Sequence, residues 1–475
     1  AYTSHLFANK STKQKRKLSA VPLDEGRTVS ASNEGHLLIG GCDAVELARR
    51  YGTPLYVLDE GRVREAMRAY RRAMEESYPK GRVLYAGKAL LTAAMCRIAA
   101  EEGLGLDVVS GGELYTALTA QFPPERIYFH GNNKSDEELD MAVQAGVGRI
   151  VVDNEGELER LERAAQRAGR PADVLLRITP GVAADTHSYV RTGQLDSKFG
   201  IPMARGQALA AAKRAAASPW LRLRGYHSHI GSQITDLSPY DAAVDLMVRF
   251  LAEAQRETGV AAQQLNMGGG LGIRYLDEQD VPAPDAFVRR IARRVLARVE
   301  EAGLPAPELL LEPGRSIVGP AGVTLYTVGF VKRIPGVRTY VMIDGGMGDN
   351  PRVALYGTRH RAVLANKLGA APAAGPVAVA GKYCESGDVL IEELHGPEPE
   401  PGDVLAVFDT GAYNFSMASN YNRIPRPAMV LVHQGRHELM VRRETYADLV
   451  ARDVVPSWLA AATGGGAAGG STKPE

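Results

Sequence analysis

The stretch "VLYAGKALLTAAM", residues 83–95, decides the fold. It opens as a short β-branched and aromatic run, passes a glycine and a lysine, and continues as a second apolar run with helical spacing. That is one strand–loop–helix unit, and it sets the Lys88 ammonium between two segments that both read as buried. The same unit recurs. Strand-like runs follow at "GLDVV" (105–109), "RIYFH" (126–130), "RIVVD" (149–153), "VLLRITP" (174–180), "LRGYHSH" (223–229), "QLNMG" (264–268) and "ELLLE" (308–312). Helical stretches such as "NEGELERLERAAQRAG" and "YDAAVDLMVRFLAEAQRETG" lie between them. Asn154 and Ser135 suit N-caps, and Gly146, Gly169, Gly259 and Gly303 suit C-terminal stops. Eight strands alternating with helices is the count that closes a (β/α)8 barrel, with an open doubly wound sheet as the alternative.

After Arg315 the texture changes. "GVTLYTVGFVKRI", "RTYVMIDGG", "GPVAVAGKY", "DVLIEEL", "GDVLAVFDT" and "AMVLVHQGRHELMVRR" are strand-like with short turns and little helix. The expected organisation is α/β plus β. A flexible basic tail spans 1–20, and 21–58 joins the β domain, as the strand-like "GHLLIGG" (35–41) suggests. The barrel spans 59–315, a mainly β domain 316–458, and a disordered Gly/Ala-rich tail 459–475.

Composition narrows the function classes. The 475 residues carry a formal net charge of +1 and 45% hydrophobic residues, ordinary for a globular protein. No global field favours nucleic acid or membrane; the basic run "KSTKQKRK" (10–17) is the exception, read as a solvated terminus or a targeting remnant. No apolar run reaches the roughly 18 residues of a membrane span. Three cysteines (Cys42, Cys96, Cys384) give neither a disulfide framework nor a metal-ligand spacing, so no metal is expected. That suits a reducing compartment, the cytoplasm or an organelle stroma if the basic start is a targeting remnant.

In a barrel, catalytic groups gather where strands end and loops begin. That rule collects Lys88, His130, His229 with Ser232, the "GGG" of Gly268, Gly269 and Gly270, and the "EPGR" from Glu312 through Gly314 to Arg315. Taken singly, the glycines make a tight turn, His229 a hydrogen-bonded strand end, and Lys88 a snorkelling side chain. Taken together they match one cofactor. A lysine amine near apolar walls can form a Schiff base with an aldehyde. Glycine N–H groups and Ser232 can bind phosphate, an imidazole can stack on a ring, and a carboxylate can keep a pyridine nitrogen protonated. Those are the needs of pyridoxal 5′-phosphate. In the β domain, "GKYCESGD" sets a possible proton donor, Cys384, beside Glu385, suited to an amino group. "MGDNPRVALYG" supplies Arg352 and Tyr356 for a carboxylate, and "DTGAYNFSMASNYN" supplies Tyr413.

The ordered series "YAGKA", "SGGE", "HGNNKS", "HSHIGSQ", "NMGGGLGI", "EPGRSIV", "DGGMGDNPRVALYG", "CESGD" and "GAYNFSMASNYN" resembles the diaminopimelate decarboxylases, within the alanine-racemase-like (fold type III) pyridoxal-phosphate enzymes. The resemblance runs from about residue 35 to 455. It implies a carboxy-lyase of lysine biosynthesis, taking meso-2,6-diaminopimelate to L-lysine and CO2, and a homodimer with shared active sites. Residue by residue, it makes Lys88 the Schiff-base lysine and His229 the ring-stacking residue. Ser232, the glycines and the loop from Glu312 to Arg315 would bind phosphate and ring, with Glu312 at the pyridine nitrogen. Arg315, Arg352 and Tyr356 would hold the distal carboxylate, and Glu385 the distal amine. Cys384 would be the proton donor, it and Glu385 reaching in from the partner subunit; Tyr413 would touch cofactor and substrate. Ornithine, arginine and carboxynorspermidine decarboxylases are the alternatives, but they do not need two arginines for a distal carboxylate. A catalytically silent regulatory homologue should have lost Lys88 or Cys384, and both are present.

Overall fold

The computed structural model of the chain describes residues 19–24, 27–182 and 196–459. The basic run at 10–17 and almost all of the Gly/Ala-rich tail lie outside the described residues.

Eight parallel strands close into a barrel: Arg82–Ala86, Gly105–Val108, Ile127–Phe129, Arg149–Val152, Ala172–Thr179, Leu221–His227, Gln264–Asn266 and Glu308–Leu311. Closure is made by the last strand pairing in parallel with the first, Leu310 opposite Arg82 and Leu311 opposite Val83. All eight strands expected from the sequence are present, and the open-sheet alternative is ruled out by that pairing. The helix terminators behave as the chain chemistry requires. Ser135 and Asn154 cap the helices Asp136–Ala145 and Glu155–Ala168, and Gly146, Gly169 and Gly259 end helices in the left-handed conformation. Gly303 falls one residue past the cap, which is Ala302.

Strand period two builds the interior and prepares the site. On the first strand Val83 and Tyr85 pack outward against the helices, while Leu84 points inward. Leu84, Tyr128, Val151, Leu175 and Leu310, from five strands, form a separate buried cluster that fills the barrel. Two residues further along their strands stand Ala86, His130, Asp153, Arg177 and Glu312. On four of these five strands the inward side therefore turns from apolar to polar at the C-terminal mouth, while the first keeps a small Ala86 there.

The β domain is a nine-stranded sheet whose long central strand, Gly322–Ile334, pairs antiparallel with Arg338–Ile343, Val404–Phe408 and Leu55–Asp59. Leu55–Asp59 also pairs in parallel with Ala428–His433, so an N-terminal strand sits inside the C-terminal sheet. Of the earlier strands, Leu37–Ile39 and Cys42–Asp43 join a small sheet of their own. Leu37 and Ile39 nevertheless pack into the β-domain core beside Val57, Leu325 and Val430, and the Leu37 N–H donates to the Ala365 carbonyl at 2.8 Å. No helix among the described residues is long and apolar enough to cross a membrane.

Candidate active site

The polar mouth of the barrel opens on a cavity of about 440 Å³, within the usual range for a small-molecule site. Lys88 enters it from a single 3-10 turn, Gly87–Ala89, that directly follows the first strand. Gly87 and Ala89 are buried while Lys88 is exposed into the opening. That answers why an ammonium follows a core strand: Lys88 continues the inward alternation of Leu84 and Ala86 past the end of the apolar filling. The β domain grips this turn. The Ala89 carbonyl accepts from the Tyr413 N–H at 2.8 Å and from Ser416 Oγ at 3.0 Å. Tyr413 itself sits at φ 62°, a conformation costly for a bulky residue and held here by those contacts.

Glu312 lies on the floor and is buried. Its Oε1 accepts from His130 Nε2 at 2.7 Å and Asn266 Nδ2 at 2.7 Å, and its Oε2 from His227 Nε2 at 3.1 Å. Burial alone would raise this carboxyl, but the two imidazoles beside it outweigh that and hold it well below the usual range. Asp107 moves the other way: burial raises it, and the Glu312 charge adds to that against the pull of His130. His229 flanks the glycine turn, where the Gly269 N–H donates to its Nδ1 at 3.4 Å. Burial, with Lys88 and Arg177 nearby, holds the His229 imidazole neutral. The glycines are needed for packing. A Cβ at Gly269 would run into the Glu312 carbonyl oxygen, and one at Gly270 into the Gly231 carbonyl.

On the far wall Arg315 Nη2 donates to Ser232 Oγ at 2.9 Å and Nη1 to Tyr275 Oη at 2.8 Å. The Arg315 and Arg352 guanidinium carbons stand 4.8 and 5.4 Å from the centre of the Tyr413 ring, and Arg352 is 4.7 Å from that of Tyr356. Both arginines are buried, and the Nε of each is without a hydrogen-bond partner.

The structure therefore gathers Lys88, His229, Ser232, Gly269, Gly270, Glu312, Gly314, Arg315, Arg352, Tyr356 and Tyr413 around one cavity. Gly268 shapes the turn without lining it. Cys384 and Glu385 stand apart, both exposed on the β domain and outside the lining of this chain's own cavity. Sequence reasoning passed over Asp107, Arg177 and His227, which also line it, and the buried Asn266. A signal was available for each, a polar residue near the end of a largely apolar strand: "LDVV", "LLRIT", "GYHSH" and "QLNM".

These groups fit pyridoxal phosphate. An anionic carboxylate on the floor can accept from a ring N–H, Lys88 offers an amine for an aldehyde, and buried guanidinium groups with unpartnered Nε–H await an anion. Residues 60–319 match the family model for the pyridoxal-dependent decarboxylase, pyridoxal binding domain. Fold and site thus define a pyridoxal-phosphate-dependent decarboxylase built on a barrel and a β domain. Diaminopimelate decarboxylase of Bacillus subtilis is 50% identical over 427 residues, covering 90% of this chain and 97% of that one. The enzyme of that name from Mycobacterium tuberculosis is 44% identical over 437 residues, covering 90% and 97%. The crystal structure of M. jannaschii diaminopimelate decarboxylase in complex with L-lysine superposes with a TM-score of 0.84 at 39% identity, covering 90% and 98%. The chain belongs to the diaminopimelate decarboxylases. Its reaction is the carboxy-lyase step that takes meso-2,6-diaminopimelate to L-lysine and CO2, the last of lysine biosynthesis.

Proposed function

We propose the following division of labour among the residues of the cavity, carried by one observation: Lys88, Glu312 and the Arg315–Tyr413–Arg352 stack all face the same space. Lys88 would hold the cofactor through its aldehyde. His229 lies against the ring. Ser232, the turn at Gly268, Gly269 and Gly270, and the Gly314–Arg315 N-terminal turn bind the phosphate. Glu312 keeps the ring nitrogen protonated. Arg315, Arg352 and Tyr356 hold the distal carboxylate, and Tyr413 touches cofactor and substrate. When bound, pyridoxal phosphate supplies an electron sink for the pair left on Cα as CO2 departs.

The rest of the chemistry belongs to the chain. By fixing the distal end of the substrate, the two arginines would orient its reacting end for loss of the α-carboxylate. After the C–C bond breaks, a proton must reach Cα, and the Cys384 thiol gives it, the thiolate recovering a proton from water. Cys384 and Glu385 are exposed and away from their own cavity, which supports a homodimer in which each subunit completes the other's site. Glu385 there receives the distal amino group. The same reading divides the chain near residues 58 and 315 into barrel and β domain, the N-terminal segment belonging to the latter. Three free thiols suit the reducing cytoplasm.

Borohydride treatment of the holoenzyme followed by peptide mapping should place the reduced cofactor on Lys88. CO2 release should be selective for meso-diaminopimelate over L-ornithine, L-arginine and carboxynorspermidine. Label on another lysine would remove the Lys88 assignment, and preference for a substrate lacking the distal carboxylate would remove that of Arg352.

A further inference from the structure

Two histidines press on one carboxylate at the cavity floor, and their surroundings push their basicity in opposite directions. The shortest contact, His130 Nε2 to Glu312 Oε1, is 2.7 Å. Two ligand atoms sharing a tetrahedral zinc with bonds of roughly 2 Å stand about 3.3 Å apart, so this spacing is that of a shared proton. His227 Nδ1 is buried and has no partner. A second proton there would be an unsatisfied donor, so His227 stays neutral with its proton on Nε2, toward Glu312. Burial accordingly pushes its pKa down to about 4.

His130 differs because of Asp107. The Asp107 Oδ1 stands 3.8 Å from His130 Nε2, and that oxygen is buried without a hydrogen bond. Burial opposes a charge on His130, but the carboxylates of Asp107 and Glu312 outweigh it and the imidazole is shifted upward. The other charged groups facing this spot work against it. Arg177 on the fifth strand lowers it and is itself paired with Asp153 at 3.5 Å, and the Lys88 charge offsets that of Asp107. If the charge on His130 were removed, Asp107 and Glu312 would face each other across a dry floor, and one of them would take up a proton. A protonated Glu312 donates where it should accept.

We propose that His130 is a positioning residue for the decarboxylation: an imidazolium between Asp107 and Glu312 that keeps Glu312 ionised and aimed, so that the cofactor's ring nitrogen stays protonated. His227 is its neutral counterpart and fixes the direction of the second oxygen. The inference rests on the assignment of Glu312 to the ring nitrogen.

The test is holoenzyme loaded with cofactor labelled with 15N in the ring, followed by NMR from pH 6 to 9. The wild type should show a pyridinium throughout. In His130→Asn the ring nitrogen should lose its proton within that window, while His227→Asn keeps it. Turnover of His130→Asn should fall on the order of 10–100-fold in kcat with KM nearly unchanged. A pyridinium at every pH in folded His130→Asn overturns the proposal. Should that variant fail to fold, the imidazole nitrogen shifts of His130 in the wild type decide: both nitrogens protonated at pH 8 supports it, a neutral ring overturns it. A neutral ring nitrogen in the wild type would instead overturn the Glu312 assignment, and this inference with it.

Discussion

Asn422 Oδ1 accepts the backbone N–H of Cys384 at 2.7 Å, tying the cysteine loop to a segment 38 residues away. Asn422 and Arg423 both adopt positive φ, 53° and 58°, a conformation that asparagine tolerates and that costs on the order of 1–2 kcal/mol at Arg423. Tyr421 Oη reaches the Cys384 carbonyl at 3.4 Å, and its ring stacks on that of Tyr383. Both backbone groups of Cys384 are thus held while its thiol faces outward, an arrangement suited to presenting that thiol to another subunit.

If Cys384 gives the proton, Cys384→Ala keeps the cofactor spectrum and loses roughly 100-fold or more in kcat. Asn422→Ala should lose about tenfold through misdirection of the loop. Cys42 and Cys96 are buried, so one thiol per chain should react quickly with iodoacetamide, and that reaction should abolish turnover. Full turnover in Cys384→Ala would remove the role.

Sites shared between subunits make a quantitative demand. In a mixture of Lys88→Ala and Cys384→Ala chains, half the dimers are mixed and each holds one intact site, so about a quarter of wild-type activity should return after subunit exchange. Neither variant alone should show it. Activity that stays absent despite exchange, followed by native mass spectrometry, would mean that each site is built from one chain.

Arg352 and Arg315 are both buried, and among the described residues neither pairs with a carboxylate. Burial and the neighbouring Arg315 charge lower the Arg352 guanidinium. Two adjacent cations in that state favour the arrival of an anion. Arg352→Ala should raise KM for meso-diaminopimelate on the order of 100-fold with a much smaller change in kcat. Arg352→Lys should recover only part of this, lacking the two-pronged donor. An unchanged KM would take the distal carboxylate elsewhere.

Asp349 predicts a stability profile. Burial pushes its carboxyl up to about 7, although Tyr326 Oη at 2.5 Å and the Gly346 N–H at 2.9 Å favour the ionised form. A folded-state pKa raised above the unfolded value gives stability that is present below about pH 4 and lost as pH rises through 7. The advantage of wild type over Asp349→Asn should therefore shrink between pH 4 and 8, by on the order of 4 kcal/mol at most. Parallel melting curves for the two proteins across that range would show that Asp349 does not titrate there.

The barrel was legible because strand and helix periodicities are local: each run from "VLYA" to "ELLLE" carries its own alternation, and caps such as Ser135 and Asn154 act within four residues. The strand-end rule then collected Lys88, His229, Glu312 and Arg315, because side chains just past the C-terminal ends of barrel strands gather at the mouth. It passed over Asp107, Arg177 and His227, which stand inside their strands rather than beyond them.

By itself, then, the sequence determined the βα repeat, the β-rich second half, the cofactor lysine and the family. Only the tertiary structure decided the rest. It placed Leu55–Asp59 in a sheet with strands more than 260 residues later, brought Tyr413 against the Lys88 turn, and set Asp107 and His130 around Glu312. These relations depend on barrel closure and on contacts between segments far apart in the chain, which no local pattern encodes. The charge on a buried imidazole depends on such neighbours and on the loss of water around it, so His130 and His227 cannot be told apart before the chain is folded.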